Sequence, residues 1–213
     1  MTAAYPKPII GMTGGIGSGK TCMAQEFGRL GCLVINSDDL AHEVLHQPTV
    51  KSQLVQWWGA AILDKSTARV DRAAVGKIVF GNAAEMARLT AVLHPQVAEL
   101  RKKIMASAAL DSKIPAIVWD SPLLFENGLH TQCDAIIFVK ASLQTRINRL
   151  KKERGWDAQE LLRREMMQLP LDKKEKAAHY YIDNDGDVAV GLRQVQSILA
   201  RVIQNYSAKS DVK

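Results

Sequence analysis

A chain of 213 residues with 47% hydrophobic and 23% charged residues can bury a core without disulfides or metals. That balance excludes a disordered, collagenous or coiled-coil chain. Lys and Arg outnumber Asp and Glu by 28 to 22, a net charge of +6, while no apolar run approaches the ~20 residues that cross a bilayer and nothing before Pro8 reads as a secretory segment, so a soluble, cytoplasmic protein without membrane association is expected.

Pro8–Thr13 (PIIGMT) is a short apolar run ending in glycines, as a buried strand does. Lys20–Leu30 has helical spacing, with Met23, Phe27 and Leu30 on one side and Gly31 as the stop. Cys32–Ile35 is a second buried strand, so the chain opens β-turn-α-β, the start of a parallel α/β sheet. From Asp39 to about Leu110 the pattern is helical but interrupted. Asp71 is placed to cap a helix through Phe80, Gly81-Asn82 breaks it, and a further run reaches Leu93, where Pro95 permits only a new start. Ile117–Trp119 and Ala135–Val139 read as core strands. Asp157 with Glu160 three residues on is a capping box for a helix ending before Pro170. Tyr181–Asp183 is a last short strand, and Leu192, Val195, Leu199, Val202 and Tyr206 mark a closing helix. Ser207–Lys213 is polar and expected to fray. Three cysteines without a CxxC pair argue against a disulfide framework or a zinc site, and Cys22, Cys32 and Cys133 are expected as small buried residues.

The first turn carries the strongest chemical signal. Gly14-Gly15-Ile16-Gly17-Ser18-Gly19-Lys20-Thr21 fits G-x-x-x-x-G-K-[ST] at each required position, between a strand and a helix. A random chain of this length would match about 0.01 times. Glycines let the backbone wrap phosphate oxygens with its N–H groups pointing inward, and the helix adds its positive end. Lys20 is the residue to reach the β and γ phosphates and the Thr21 hydroxyl to ligate Mg²⁺. The motif leaves open a small-molecule kinase, a GTPase switch or a nucleic-acid-driven ATPase. No N-K-x-D guanine reader is present, and the third strand ends Asp120-Ser121-Pro122 rather than Asp-Glu. The kinase class leads.

A kinase also needs a base at the acceptor hydroxyl and cations on the moving phosphoryl group. Asp38, just past the second strand, is the candidate base, since strand ends beside a phosphate loop share one crevice; Asp38 or Asp39 could equally cap the helix through Leu45. Asp120 could hold Mg²⁺ through water, or cap a helix starting before Pro122. Residues 140–176 hold eleven Lys/Arg against six Asp/Glu, a cluster that suits a polyanionic partner or a solvated helix face.

The order and spacing of several runs resemble the dephospho-CoA kinase family. They are Gly11–Thr21, Asn36-Ser37-Asp38 with Ala41-His42-Glu43, Leu93-His94-Pro95, Pro122-Leu123-Leu124-Phe125-Glu126, and Ile182-Asp183-Asn184-Asp185-Gly186. The resemblance covers residues 9 to about 190 and implies ATP-dependent phosphorylation of the ribose 3′-hydroxyl of dephospho-CoA, giving CoA and ADP. It implies a P-loop NTPase fold: an α/β protein with a five-stranded parallel sheet flanked by helices, a helical substrate-binding region and a helical lid. On that basis residues 1–206 form one domain, with core segments 8–38, 115–145 and 178–206, substrate region 39–112 and lid 146–177; residues 207–213 are the tail.

The same resemblance distributes roles. Asp38, Lys20 and Arg149 are the catalytic candidates. Gly15, Gly17, Ser18, Gly19, Lys20, Thr21, Cys22, Arg154 and Asn184 would bind ATP, Asn184 in a loop that reads adenine or simply makes a good turn. His94, Leu123, Glu126 and Arg164 would bind the acceptor, and Thr21 and Asp120 would serve Mg²⁺. Gln168 and Lys174 match the rest of the lid pattern. Many members carry Asp-x-Asp after the second strand, and here Asn36 takes the first place. The implied small molecules are ATP, with Mg²⁺, and dephospho-CoA, acting on a monomer or weak homo-oligomer. The alternatives are a kinase of another small hydroxyl or nucleotide acceptor, or an ATP-dependent nucleic-acid module. Against the latter, Trp156 is the only aromatic in the basic stretch, too few for a stacking platform.

Overall fold

The computed structural model describes residues 5–210 and divides into two compact units, one made of the chain up to Asn36 and from Ser107 onward, the other of Ser37–Ala106. The first holds five parallel strands: β1 (Ile9–Gly14), β2 (Leu33–Asn36), β3 (Ile117–Asp120), β4 (Ala135–Lys140) and β5 (Tyr180–Asp183). Their spatial order is β2-β3-β1-β4-β5. All six residues of β1 and all four of β3 are buried, as a parallel sheet covered on both faces requires.

One core packs Ile10, Met12, Val118, Ile137 and Ile182 of the strands against Met23 and Phe27 of α1 (Lys20–Arg29) and Val195 and Val202 of the closing helix. Burying a side chain of this size is worth roughly 1.5–3 kcal/mol, so this face anchors the whole frame from which the first turn projects. The closing helix runs Val188–Ser210. It therefore continues through 207–210, where fraying was expected: Ser207 Oγ donates back to the Ile203 carbonyl at 3.1 Å. Residues 211–213 of the expected tail lie outside the described residues. Cys32 is buried, and burial pushes its thiol up to about 12. Cys133 is half-buried, but Cys22 is exposed, because the inward stripe of α1 falls on Met23, Ala24 and Phe27.

The second unit is helical: α2 (Ser37–Leu45), α3 (Pro48–Trp58), a 3₁₀ turn at Ala60–Ile62, α4 (Arg72–Val79) and most of α5 (Ala83–Leu110). Val44, Val50, Leu54, Ile62, Val75 and Leu89 form its core. Asp71 caps α4 by accepting from the Ala73 N–H at 2.8 Å. Pro95 does not start a helix; it sits inside the 28-residue α5. An interior proline costs about 3 kcal/mol. Here Val92, Leu93, Val97 and Leu100 on either side of it all pack on the unit's core, and that burial exceeds the loss of one ladder bond.

Three short helices follow β4: α6 (Leu143–Arg154), α7 (Ala158–Glu165) and α8 (Leu171–Lys176). Asp157 caps α7 through the Glu160 N–H at 2.8 Å, but the helix stops at Glu165 and Pro170 stands at the start of α8. The Glu160 carboxylate turns instead to Arg163 and Arg164, so the box is made in one direction. No helix among the described residues is long and apolar enough to cross a membrane.

Candidate active site

The turn between β1 and α1 is held open by its own backbone. Gly17 and Gly19 have φ of +78° and +85°, the left-handed region in which a side chain is strained, and a Cβ at Gly19 would also collide with the Asn184 amide. Gly19 is the cap residue of α1, so the turn ends on the positive end of a helix.

Side chains from α6 and from the residue after β5 take the turn's carbonyls, and one from α7 takes an N–H. Arg149 donates to Gly17 O at 3.5 Å, Ser18 O at 3.2 Å and Asn184 O at 2.8 Å. Asn184, buried, donates its amide to Ser18 O at 2.7 Å. Arg146, only 6% exposed, donates to Ile16 O at 3.4 Å and pairs with Glu165, whose carboxylate accepts from the Ile16 N–H at 3.3 Å. A trans peptide puts its C=O and N–H on opposite sides. Fixing the carbonyls of Ile16 and Ser18 therefore aims the N–H groups of Gly17 and Gly19 the other way, the arrangement that receives an anion. Among the described residues, the Ser18 hydroxyl and the Asn184 carbonyl oxygen are buried without a partner.

Register brings the acid to the lysine. Asp120, at the end of β3, lies between Met12 of β1 and Asn36 of β2. It is 1% exposed and pairs with the Lys20 ammonium, while Asn36 Nδ2 donates to its other oxygen at 3.1 Å. Residues 122–127 are turns, so Asp120 caps no helix. Thr21 and Cys22 are exposed in the first turn of α1.

A second cluster ties the turn after β3 to the segment before α8. Lys174 has no exposed side-chain surface and pairs with Glu126 at 2.8 Å and Gln168 Oε1 at 3.0 Å. Glu126 also accepts from the Leu169 N–H at 2.7 Å. Burial raises the Glu126 carboxyl, but Lys174 and that N–H outweigh it and hold it below the ordinary glutamate range. Leu123 is 39% exposed beside this turn.

Arg154 and Arg164 both lie over the Trp156 ring, at 5.0 and 4.1 Å, with Arg164 bonded to Glu160 at 2.6 Å. In the helical unit, Asp38 and Asp39 stand inside the first turn of α2 rather than before it, and His94 is exposed on α5. The residues that sequence reading passed over are Arg146 and Glu165. Arg146 lies one turn before Arg149 on α6, and that i, i+3 spacing was the signal available.

A family model described as dephospho-CoA kinase matches residues 8–189. A dephospho-CoA kinase of Carboxydothermus hydrogenoformans is 37% identical over 196 residues, covering 91% of this chain and 94% of that one. One from Syntrophotalea carbinolica is 36% identical over 197 residues, covering 92% of each. Among solved structures, the Thermus thermophilus protein TT1252 is 30% identical with a TM-score of 0.76 and covers 92% of this chain and 97% of that one. The dephospho-CoA kinase of Campylobacter jejuni, 21% identical with a TM-score of 0.67 over 94% and 99% of the two chains, shares the fold.

Proposed function

The chain belongs to the dephospho-CoA kinase family, and from that premise we propose that it transfers the γ-phosphoryl group of ATP to the ribose 3′-hydroxyl of dephospho-CoA, giving CoA and ADP in CoA biosynthesis. The observation that carries this reading is the phosphate loop braced by Arg146, Arg149 and Asn184, with Lys20 and Asp120 at its mouth.

In this reading the loop N–H groups and Lys20 hold the triphosphate, Lys20 exchanging Asp120 for phosphate oxygens. Asp38 accepts the 3′-hydroxyl proton as that oxygen attacks the γ-phosphorus and ADP leaves. Its support is chain position: β2 ends at Asn36 and Asp38 follows by two residues. Arg149 braces the loop, which supports a catalytic contribution through the position of the loop amides. Arg154 and Arg164 are the lid cations that neutralise charge on phosphate groups. Leu123, Glu126 and His94 are the acceptor-side candidates, Glu126 acting through its hold on the 168–174 segment.

Mg²⁺ is the metal we assign to the nucleotide. The Thr21 hydroxyl and the buried Asp120 carboxylate are hard oxygen donors of the kind it takes. Asn36 already donates to one Asp120 oxygen, and the oxygen that Lys20 gives up would hold the ion through a bridging water. When bound, the ion neutralises charge shared between the β and γ phosphates.

The reading is tested by ADP release with paired acceptors. Dephospho-CoA should stimulate ADP formation, and CoA, whose 3′-oxygen is already phosphorylated, should not. Equal release with both would remove the 3′-hydroxyl as the acceptor.

A further inference from the structure

Arg154, Trp156 and Arg164 form a cluster that neither the phosphate loop nor the Glu126–Lys174 pair explains. Arg154 ends α6, Gly155 reverses the chain with φ +68°, and Trp156 precedes Asp157, the cap of α7. Arg164 lies in the last turn of that helix. The reversal brings two guanidinium groups to one indole ring, 5.0 and 4.1 Å from its centroid. Like charges gathered this closely repel. The electron-rich ring face offsets part of that repulsion, and Glu160 neutralises one edge of Arg164. Among the described residues Arg154 has no carboxylate partner. The cluster therefore keeps an excess of positive charge, presented as planar forks that match phosphate oxygens.

We propose that Trp156 is a positioning residue that gathers Arg154 and Arg164 into a two-guanidinium clamp for a phosphate chain. Two arginines already held by one ring lose less freedom on binding than two free side chains do. The phosphate chain is the triphosphate of ATP or the diphosphate of the acceptor, and the Michaelis constant that moves distinguishes them. The kinetic arm of this proposal rests on the kinase reading above; the binding arm does not.

The experiment compares the parent enzyme with W156F, W156L, R154Q/R164Q and W156L/R154Q/R164Q. W156L should raise KM for one of the two phosphate-bearing substrates roughly three- to thirtyfold. W156F, which keeps a ring face, should recover part of that loss. In the background lacking both arginines, W156L should cost less than about twofold, because its effect passes through them. Inorganic tripolyphosphate, added without acceptor, should change the Trp156 emission, isolated as the difference between parent and W156F, and R154Q/R164Q should abolish the change. Parent-like KM values in W156L, an undiminished loss in the arginine-free background, or a Trp156 emission indifferent to tripolyphosphate would each overturn the proposal. If the parent makes no CoA, the kinase reading fails, and the tripolyphosphate titration still decides this one.

Discussion

Lys20 and Asp120 show how much one residue's position depends on its neighbours. Lys20 is legible from the motif alone, because no other common pattern places a lysine after that run of glycines. Asp120 is legible as a strand end, but its choice between cap and cation partner needed the register that sets it beside Asn36 and Met12. Arg146 offered only its spacing from Arg149, and within a basic stretch a buried arginine and a solvated one look alike until the glutamate that pairs with it is placed. Asp38 is the proposed base. D38N should bind ATP within about twofold of the parent yet lose at least about a hundredfold in kcat, the usual weight of a general base; turnover near the parent rate would remove Asp38 from that role. Glu160 gives a second prediction. Its hydrogen bonds to Arg163 and Arg164 lower its carboxyl from the ordinary 4.5 to about 2. A lowered carboxyl stabilises the fold fully above its unfolded value, and that contribution disappears as pH falls from about 4.5 towards 2. A carbon-detected titration should place the Glu160 midpoint near 2, and a midpoint in the ordinary glutamate range would contradict the pairing.

The strands and the caps at Asp71 and Asp157 followed from apolar runs and side-chain acceptors that act within three residues, the range at which local chemistry decides. Pro95 and the tail misled for the opposite reason. A proline rule and a polar composition are local, and the burial around Val92 and Val97 and the continuing ladder of the closing helix are not. The segment from α6 to α8 is held by contacts between residues far apart in sequence, above all Lys174 with Glu126. E126L leaves a fully buried ammonium without its carboxylate and should destabilise the protein by about 3 kcal/mol in urea unfolding. Adding K174M should recover most of the loss, since a buried pair replaced by apolar groups is often neutral. A single variant as stable as the parent, or a double variant as unstable as E126L, would show that the pair does not hold the segment.

Across the whole molecule, the excess positive charge of residues 140–176 turns out to be largely engaged. Arg146 and Arg149 brace the loop, Lys174 is buried on Glu126, Lys140 pairs with Glu175, and Arg163 and Arg164 share Glu160. Composition registered the cluster but could not say that it serves the protein's own phosphate loop and the helices α6 to α8. The fold class was legible because a phosphate loop between a strand and a helix commits a chain to a parallel sheet. Within the candidate site, the loop glycines and Lys20 were legible because their residue types are chemically constrained, and Asp120 was legible only as a strand end. The proposed reaction moves the γ-phosphoryl group of ATP to the 3′-oxygen of dephospho-CoA, and product identity tests that most directly. The protein incubated with ATP, Mg²⁺ and dephospho-CoA should yield a compound one phosphoryl group heavier that is indistinguishable from CoA by mass and chromatography, with formation abolished by chelating the metal. Dephospho-CoA recovered unchanged, or phosphorylated at another position, would contradict it.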